Sequence, residues 1–183
     1  MSQLIQPGPE FRQLFHSFDH TVFRLEVRDR YDAPYENESV RKFLAGEPDD
    51  LSWSDSWLSM VRSARIEGRT YSRARVVSVP LTDYSRFGLW ASQFTVAAGE
   101  NIRYLTRNQA QEIRLPNHDY WLFDSRKLMR VHFDENDRFL GGEVIDDSAE
   151  IVQHNYWRDA AWYHAVERDD FAAKQGFGRI ERP

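Results

Sequence analysis

Apolar residues along the chain follow two alternating periods, and the changes from one to the other mark out its elements. Phe11, Leu14, Phe15 and Phe18 fall at helical spacing behind Pro9, which predicts a short first helix with proline in its opening turn. Phe23, Leu25 and Val27 then alternate with Arg24, Glu26 and Arg28, the period-two pattern of a strand with one wet face. In NESVRKFLAGEPDD, Asn37 can cap a helix bearing Val40, Phe43 and Leu44, which Gly46 and Pro48 stop. In SDSWLSMVRSARIEG, Ser54 is the expected cap, and Trp57, Leu58, Val61 and Ala64 form one apolar stripe ending at Gly68. These two helices are expected to pack as an αα hairpin.

TYSRARVVSVP reads as a strand ending at Pro80, and a helix follows with Tyr84, Phe87, Trp90, Ala91, Phe94 and Ala98 facing inward and Gly99 at its end. IRYLT then completes a strand, helix, strand unit of βαβ type. After the polar connection RNQAQEIRLP, the segments YWLFD, KLMRVHFD and FLGGEVID are close enough to form an antiparallel meander at one edge of the sheet. Asp147 and Glu150 have capping-box spacing and open a helix whose inward face is read as Val152, Tyr156, Trp157, Ala160, Ala161 and His164. The stretch AAKQGFGRIERP has no comparable apolar face and is expected to be loose. The pattern therefore predicts an α/β (α+β) fold, a mixed sheet with a βαβ unit and a meander, flanked by helices. A single domain is expected over residues 1–183, with a helical N-terminal part at about 8–68, an α/β part at about 69–168 and a loose C-terminal tail.

Composition narrows the class. At 183 residues with twelve Phe, eight Tyr and six Trp, the chain has ample material for a core and for interface anchors. The absence of cysteine removes disulfides, thiol nucleophiles and Cys-based zinc sites. No segment has the form of a leader or a membrane span, so a cytoplasmic protein without membrane association is expected. A net charge of −5 argues against direct nucleic-acid binding through a uniformly basic surface. Of 24 basic residues 21 are Arg, which favours bidentate carboxylate or phosphate contacts, although a GC-rich coding sequence yields the same excess. Nothing in the pattern specifies an oligomeric state.

Candidate chemistry concentrates in two places. His118, Asp119 and Asp124 flank the strand YWLFD, where a nucleophile, acid or base would find a fixed position. The plainer reading puts Trp121 and Phe123 in the core, has Asp124 open a turn by accepting backbone hydrogen bonds, and sets His118 near Asp83 and Arg86. In RVVSVPLTDYSRF a strand runs into a helix start, so free amides with Asp83, Arg86 and an approaching Arg75 could receive an anion; the alternative is that Thr82 or Asp83 merely caps the helix. Arg75, Asp83, Arg86, His118, Asp119 and Asp124 are thus the candidate ligand-binding residues, with no catalytic residue, metal ligand or cofactor assigned. His16 and His20 lack a metal-binding signature, and His154 and His164, about 15 Å apart along the last helix, could not share a metal unaided. Gly141-Gly142 lacks a phosphate-cradling context.

The blocks FDHTVFRLEVRDRYD, FLAGEPDD, RVVSVPLTDYSRF, ENIRYL, NHDYWLFDS, HFDENDRFLGGEVIDD and WRDAAWYHA resemble an uncharacterised actinobacterial family, from about Phe11 to Val166. Its genes often lie near helix-turn-helix regulators and small acidic partner proteins. The resemblance implies a regulatory or signalling role by association, with a regulator protein or a small ligand as partner. In order and spacing, AAGENIRYL, DYWLFDSRKLM and WRDAAWYHA also resemble a degenerate half of the phospholipase D superfamily fold. Its H-x-K-x4-D motif is altered here: Tyr120 stands where lysine belongs, and Asp124 falls one position early. A non-enzymatic binding module is therefore the first expectation, and a hydrolase or phosphotransfer enzyme the alternative.

Overall fold

The structure, a computed structural model, describes residues 3–177. Among them eight strands form one mixed sheet: β1 (Gln3–Ile5), β2 (Thr21–Glu26), β3 (Thr70–Val77), β4 (Asn101–Thr106), β5 (Tyr120–Phe123), β6 (Lys127–Phe133), β7 (Phe139–Ile145) and β8 (Val166–Glu167). Their spatial order is β1-β7-β6-β5-β2-β3-β4-β8. Strands β2, β3 and β4 run parallel and every other neighbouring pair is antiparallel. The expected βαβ unit and meander therefore share one sheet. Strand β1 extends it beyond the meander, pairing with β7.

Helices cover both faces: α1 (Pro9–Leu14), α2 (Asn37–Ala45), α3 (Asp55–Ile66), α4 (Asp83–Ala98), α5 (Arg107–Glu112), α6 (Ser148–His164) and α7 (Arg168–Lys174). Local chemistry sets their ends. The hydroxyl of Thr82 accepts from Ser85 N–H at the start of α4, Thr106 and Gln109 form a reciprocal capping box at α5, and Asp147 accepts from Glu150 N–H at α6. Glu150 does not complete a box with Asp147; its carboxylate reaches Arg130 at 3.3 Å.

The period of two assigns strand residues to opposite layers. Phe23, Leu25, Ala74, Val76, Tyr120, Leu122 and Leu128 build a dry layer under α5 and α6. On the other face, Val22, Tyr71, Trp121, Phe123, Met129 and Val131 meet α1 and α3, while Val77, Ile102 and Tyr104 meet α4 and α7. Gly142 serves this second layer, since a Cβ there would fall 2.4 Å from Met129 Sδ and 3.2 Å from Phe11 Cε2.

Several expectations are corrected. The charged side of β2 is not wet: Glu26 is buried and Arg24 nearly so, because β2 lies inside the sheet between β5 and β3 with helices over both faces. Both sides of β5 are buried for the same reason. Helices α2 and α3 each pack on α4 more than on each other, so they do not form a hairpin. The inward face of α6 is rotated from the one expected. His154 and Ala161 are buried, with Ile151 and Trp162 packed beside them, whereas Val152 and Tyr156 are 68% and 63% exposed. The segment from Ala172 onward begins inside α7, where Phe171 and Ala172 join the layer under α4 and Arg168 Nη2 donates to Leu89 O at 2.7 Å. The end of that segment, 178–183, lies outside the described residues.

Candidate functional site

Between the sheet and α1, α3 and α4 lies a cavity of about 880 Å3. Its floor is the polar side of two parallel strands. In register, Arg24 of β2 stands opposite Arg73 of β3, and Glu26 opposite Arg75. Like charges directly opposite each other are unfavourable unless bridged. Glu26 supplies the bridge: its carboxylate lies 3.0 Å from Arg24 Nε, 2.9 Å from Arg73 Nη1 and 2.9 Å from Arg75 Nε. Burial pushes the Glu26 carboxyl up, but Arg73, Arg75 and Arg24 together outweigh it and hold the group at about 2.

Two further acids complete the network. Arg73 donates through Nε to Glu100 Oε1 at 2.8 Å, and Trp57 Nε1 donates to Glu100 Oε2 at 3.1 Å. Arg24 Nη2 donates to Asp119 Oδ2 at 3.0 Å, an oxygen that also accepts from Tyr31 Oη at 2.7 Å, while Asp119 Oδ1 accepts from Val27 N–H at 2.9 Å. Burial dominates at Asp119 and raises its carboxyl despite Arg24. The Arg24 guanidinium also stacks 4.7 Å from the Trp121 ring centre.

The walls are aromatic. Tyr35 and Trp53 lie 5.7 Å apart between centroids, and Phe87 lies 6.3 Å from both Trp53 and Tyr84. Tyr84 Oη donates to Glu36 Oε2 at 2.6 Å, and burial pushes the Glu36 carboxyl up. The arrangement offers fixed donors over a charged floor and ring faces around it, the chemistry of recognition. Glu26, held strongly acidic and shared among three cations, is a poor base.

The structure scatters the residues singled out from the sequence. Arg75 lines the cavity, and Asp119 lies behind its lining, bonded to Arg24 and Tyr31. Asp83 and Arg86 form an exposed pair at 3.6 Å on the first turn of α4. The Asp124 carboxylate accepts from the backbone N–H groups of Asp19, His20 and Thr21 at 2.7–2.9 Å, tying the start of β2 to the end of β5. His118 lies on the opposite face from α4, not near Asp83 and Arg86 as expected. Its Nε2 is 3.0 Å from Nε2 of His154 on α6, with Trp157 against both rings. Since His154 Nδ1 is 2.7 Å from Glu150 O and must donate, its Nε2 accepts and His118 Nε2 carries the proton. Burial first, then Arg130 and His154, holds His118 down at about 4.

Arg24, Glu26, Arg73, Glu36 and Tyr84 were not singled out. The signal available was charge recurring at period two, Arg24-x-Glu26 and Arg73-x-Arg75, in two segments that otherwise read as strands. Among the described residues no group of three or more His, Asp or Glu side chains is placed to hold a metal ion, and no helix is long and apolar enough to cross a membrane.

Fold and site together define a mixed-sheet α/β domain built around a charged, aromatic-walled cavity. The chain belongs to the family of a domain of unknown function, DUF6879, whose model matches residues 9–173. Comparison with curated proteins gives no match.

Proposed function

We propose that this protein is a non-enzymatic regulatory or signalling module that binds a small ligand in the cavity between its sheet and α1, α3 and α4. The observation that carries the reading is the cavity itself, about 880 Å3, with a prearranged guanidinium–carboxylate floor under aromatic walls. Sites of this size and make-up suit a drug-sized ligand, and fixing the donors in advance lowers the ordering cost of binding. The resemblance to an actinobacterial family encoded beside helix-turn-helix regulators supplies the partner: such a regulator would sense the liganded state, and the protein would work in the cytoplasm without touching DNA. The engagement of His118 with His154, and of Asp124 with three backbone amides, supports binding over hydrolysis, since both groups already have structural work.

Native purification from the source organism, followed by denaturation and mass spectrometry of released small molecules, tests the proposal. Ala91 lines the cavity, and Ala91→Trp would put an indole into it. The expected result is a metabolite released from the native protein and absent from the folded variant, together with capture of a regulator that depends on that metabolite. Equal release from both proteins, or catalytic turnover of the metabolite, would overturn the reading.

A further inference from the structure

We propose that the ligand is a ring-bearing monocarboxylic acid, its carboxylate received by the terminal nitrogens of Arg75 and its ring enclosed by the aromatic wall. The inference rests on the cavity being the ligand site and adds the ligand's chemical class. It starts from the unequal treatment of three arginines. Arg73 spends all three guanidinium nitrogens on Glu100 and Glu26. Arg24 is shared between Glu26 and Asp119. Arg75, only 8% exposed, has the Glu26 carboxylate 2.9 Å from its Nε and no hydrogen bond from Nη1 or Nη2 to a described residue. Guanidinium donors that line a cavity without a protein partner are placed to bind an acceptor there.

The absence of a side chain at Gly88 makes room for that group. Gly88 of α4 passes so close that a Cβ there would lie 2.5 Å from Arg75 Nη1 and 3.4 Å from Cζ. Any larger residue would push the guanidinium out of its place beside the cavity. The planar edge formed by Nη1 and Nη2 matches the two oxygens of a carboxylate, which accept as a parallel pair.

Charge selects a single negative group. Arg24, Arg73 and Arg75 face Glu26, Glu100 and Asp119, so the floor is balanced as a whole, while the Arg75 end has only a share of Glu26. One carboxylate would complete that end. A phosphate dianion would place a second charge close to Glu26 and Glu36. The wall then selects the body. Tyr35, Trp53, Tyr84 and Phe87 are tilted against one another at 37–51°, presenting faces and edges on which a planar ring can pack.

Isothermal titration calorimetry of the whole protein with 1-naphthoate tests this, against 1-naphthamide, 1-naphthyl phosphate and decanoate. Quenching of tryptophan emission provides a second readout, since Trp53, Trp57 and Trp121 line the cavity. The naphthoate should bind at least about tenfold more tightly than each of the others, and Arg75→Met should abolish that preference. Gly88→Ala keeps every charge yet displaces the Arg75 guanidinium, and should weaken naphthoate several-fold while leaving the amide unchanged; it carries the test if Arg75→Met fails to fold. Equal binding of acid and amide, or full affinity in both variants, would overturn the carboxylate assignment while the cavity reading stands. Tighter binding of the phosphate or of decanoate would overturn the single charge or the ring. Binding of none of the four would overturn the ligand class, while the cavity reading stands or falls on the metabolite released from the native protein.

Discussion

Replacing Glu26 by Gln isolates the electrostatic work of the cavity floor, because the two side chains differ by a charge and hardly in shape. The carboxylate is within 3.0 Å of all three guanidinium groups. Burial opposes its ionised form, yet the three cations hold it at about 2 instead of 4.5. Each tenfold change in acidity is worth about 1.4 kcal/mol, so the fold favours the ionised group by about 3 kcal/mol. Mutational experience points the same way, since removing one partner of a buried ion pair costs roughly 3–5 kcal/mol. Glu26→Gln should therefore lower the unfolding free energy at pH 7 by about 3 kcal/mol, measured as a lower urea midpoint at constant slope. Because the folded carboxyl is the more acidic, its stabilisation is complete above the unfolded value of 4.5 and is lost as pH falls through about 2. The difference between wild type and variant should shrink to about half at pH 3. A loss below about 1 kcal/mol at pH 7, or one that is unchanged at pH 3, would refute the bridging role.

Three further outcomes are expected. Trp57 packs on Phe15, Tyr71 and Trp121 and donates to Glu100, so Trp57→Ala should cost about 3 kcal/mol or more in thermal or urea unfolding; unchanged melting would contradict its anchoring role. Asp124→Ala strips an acceptor from three backbone amides and should cost about 1–3 kcal/mol, with β2 amide protons near Thr21 exchanging faster; unaltered exchange there would defeat the assignment. His118 is held at about 4, below its ordinary 6.5, so stability from its neutral form is present above pH 6.5 and lost as pH falls towards 4. After discounting for partial exposure this amounts to about 1–2 kcal/mol between pH 7 and 4.5, and His118→Gln should lack that fall; an equal fall in the variant would assign the pH response elsewhere.

What the sequence disclosed depended on how local the physics was. Thr82, Gly99 and Asp147 act within one helical turn, and the ends of α4 and the start of α6 lie where those residues indicate. The period-two runs likewise located β2 to β7. Arg24 and Glu26 were read as solvent-facing because alternating charge on a strand ordinarily meets water. Their true setting depends on register with Arg73 and Arg75, a pairing between segments far apart in the chain that no local pattern encodes. The α6 face differs from the apolar pattern for a related reason. His154 seats the helix by hydrogen-bonding to Glu150 O and His118, and neither contact leaves an apolar signature. Hydrophobicity alone points Val152 and Tyr156 inward, whereas polar satisfaction sets the orientation.

The two sides of the sheet also divide the energetic work. Under α5 and α6, Leu25, Ala74, Leu122, Leu128 and Ala161 exclude water and carry no charge. This layer supplies the apolar burial that offsets chain entropy. On the other side the same strands present Arg24, Glu26, Arg73 and Arg75, an arrangement that apolar side chains of similar volume would often make no less stable. A network of this kind does not explain itself through stability. Its geometric consequence is a set of cations fixed at the base of a cavity by the carboxylates of Glu26 and Glu100, with Arg75 left as the least committed member. Departure from the apolar rule across one face, supported by a predominantly apolar layer on the other, is the pattern expected where a fold has been adapted to recognise something.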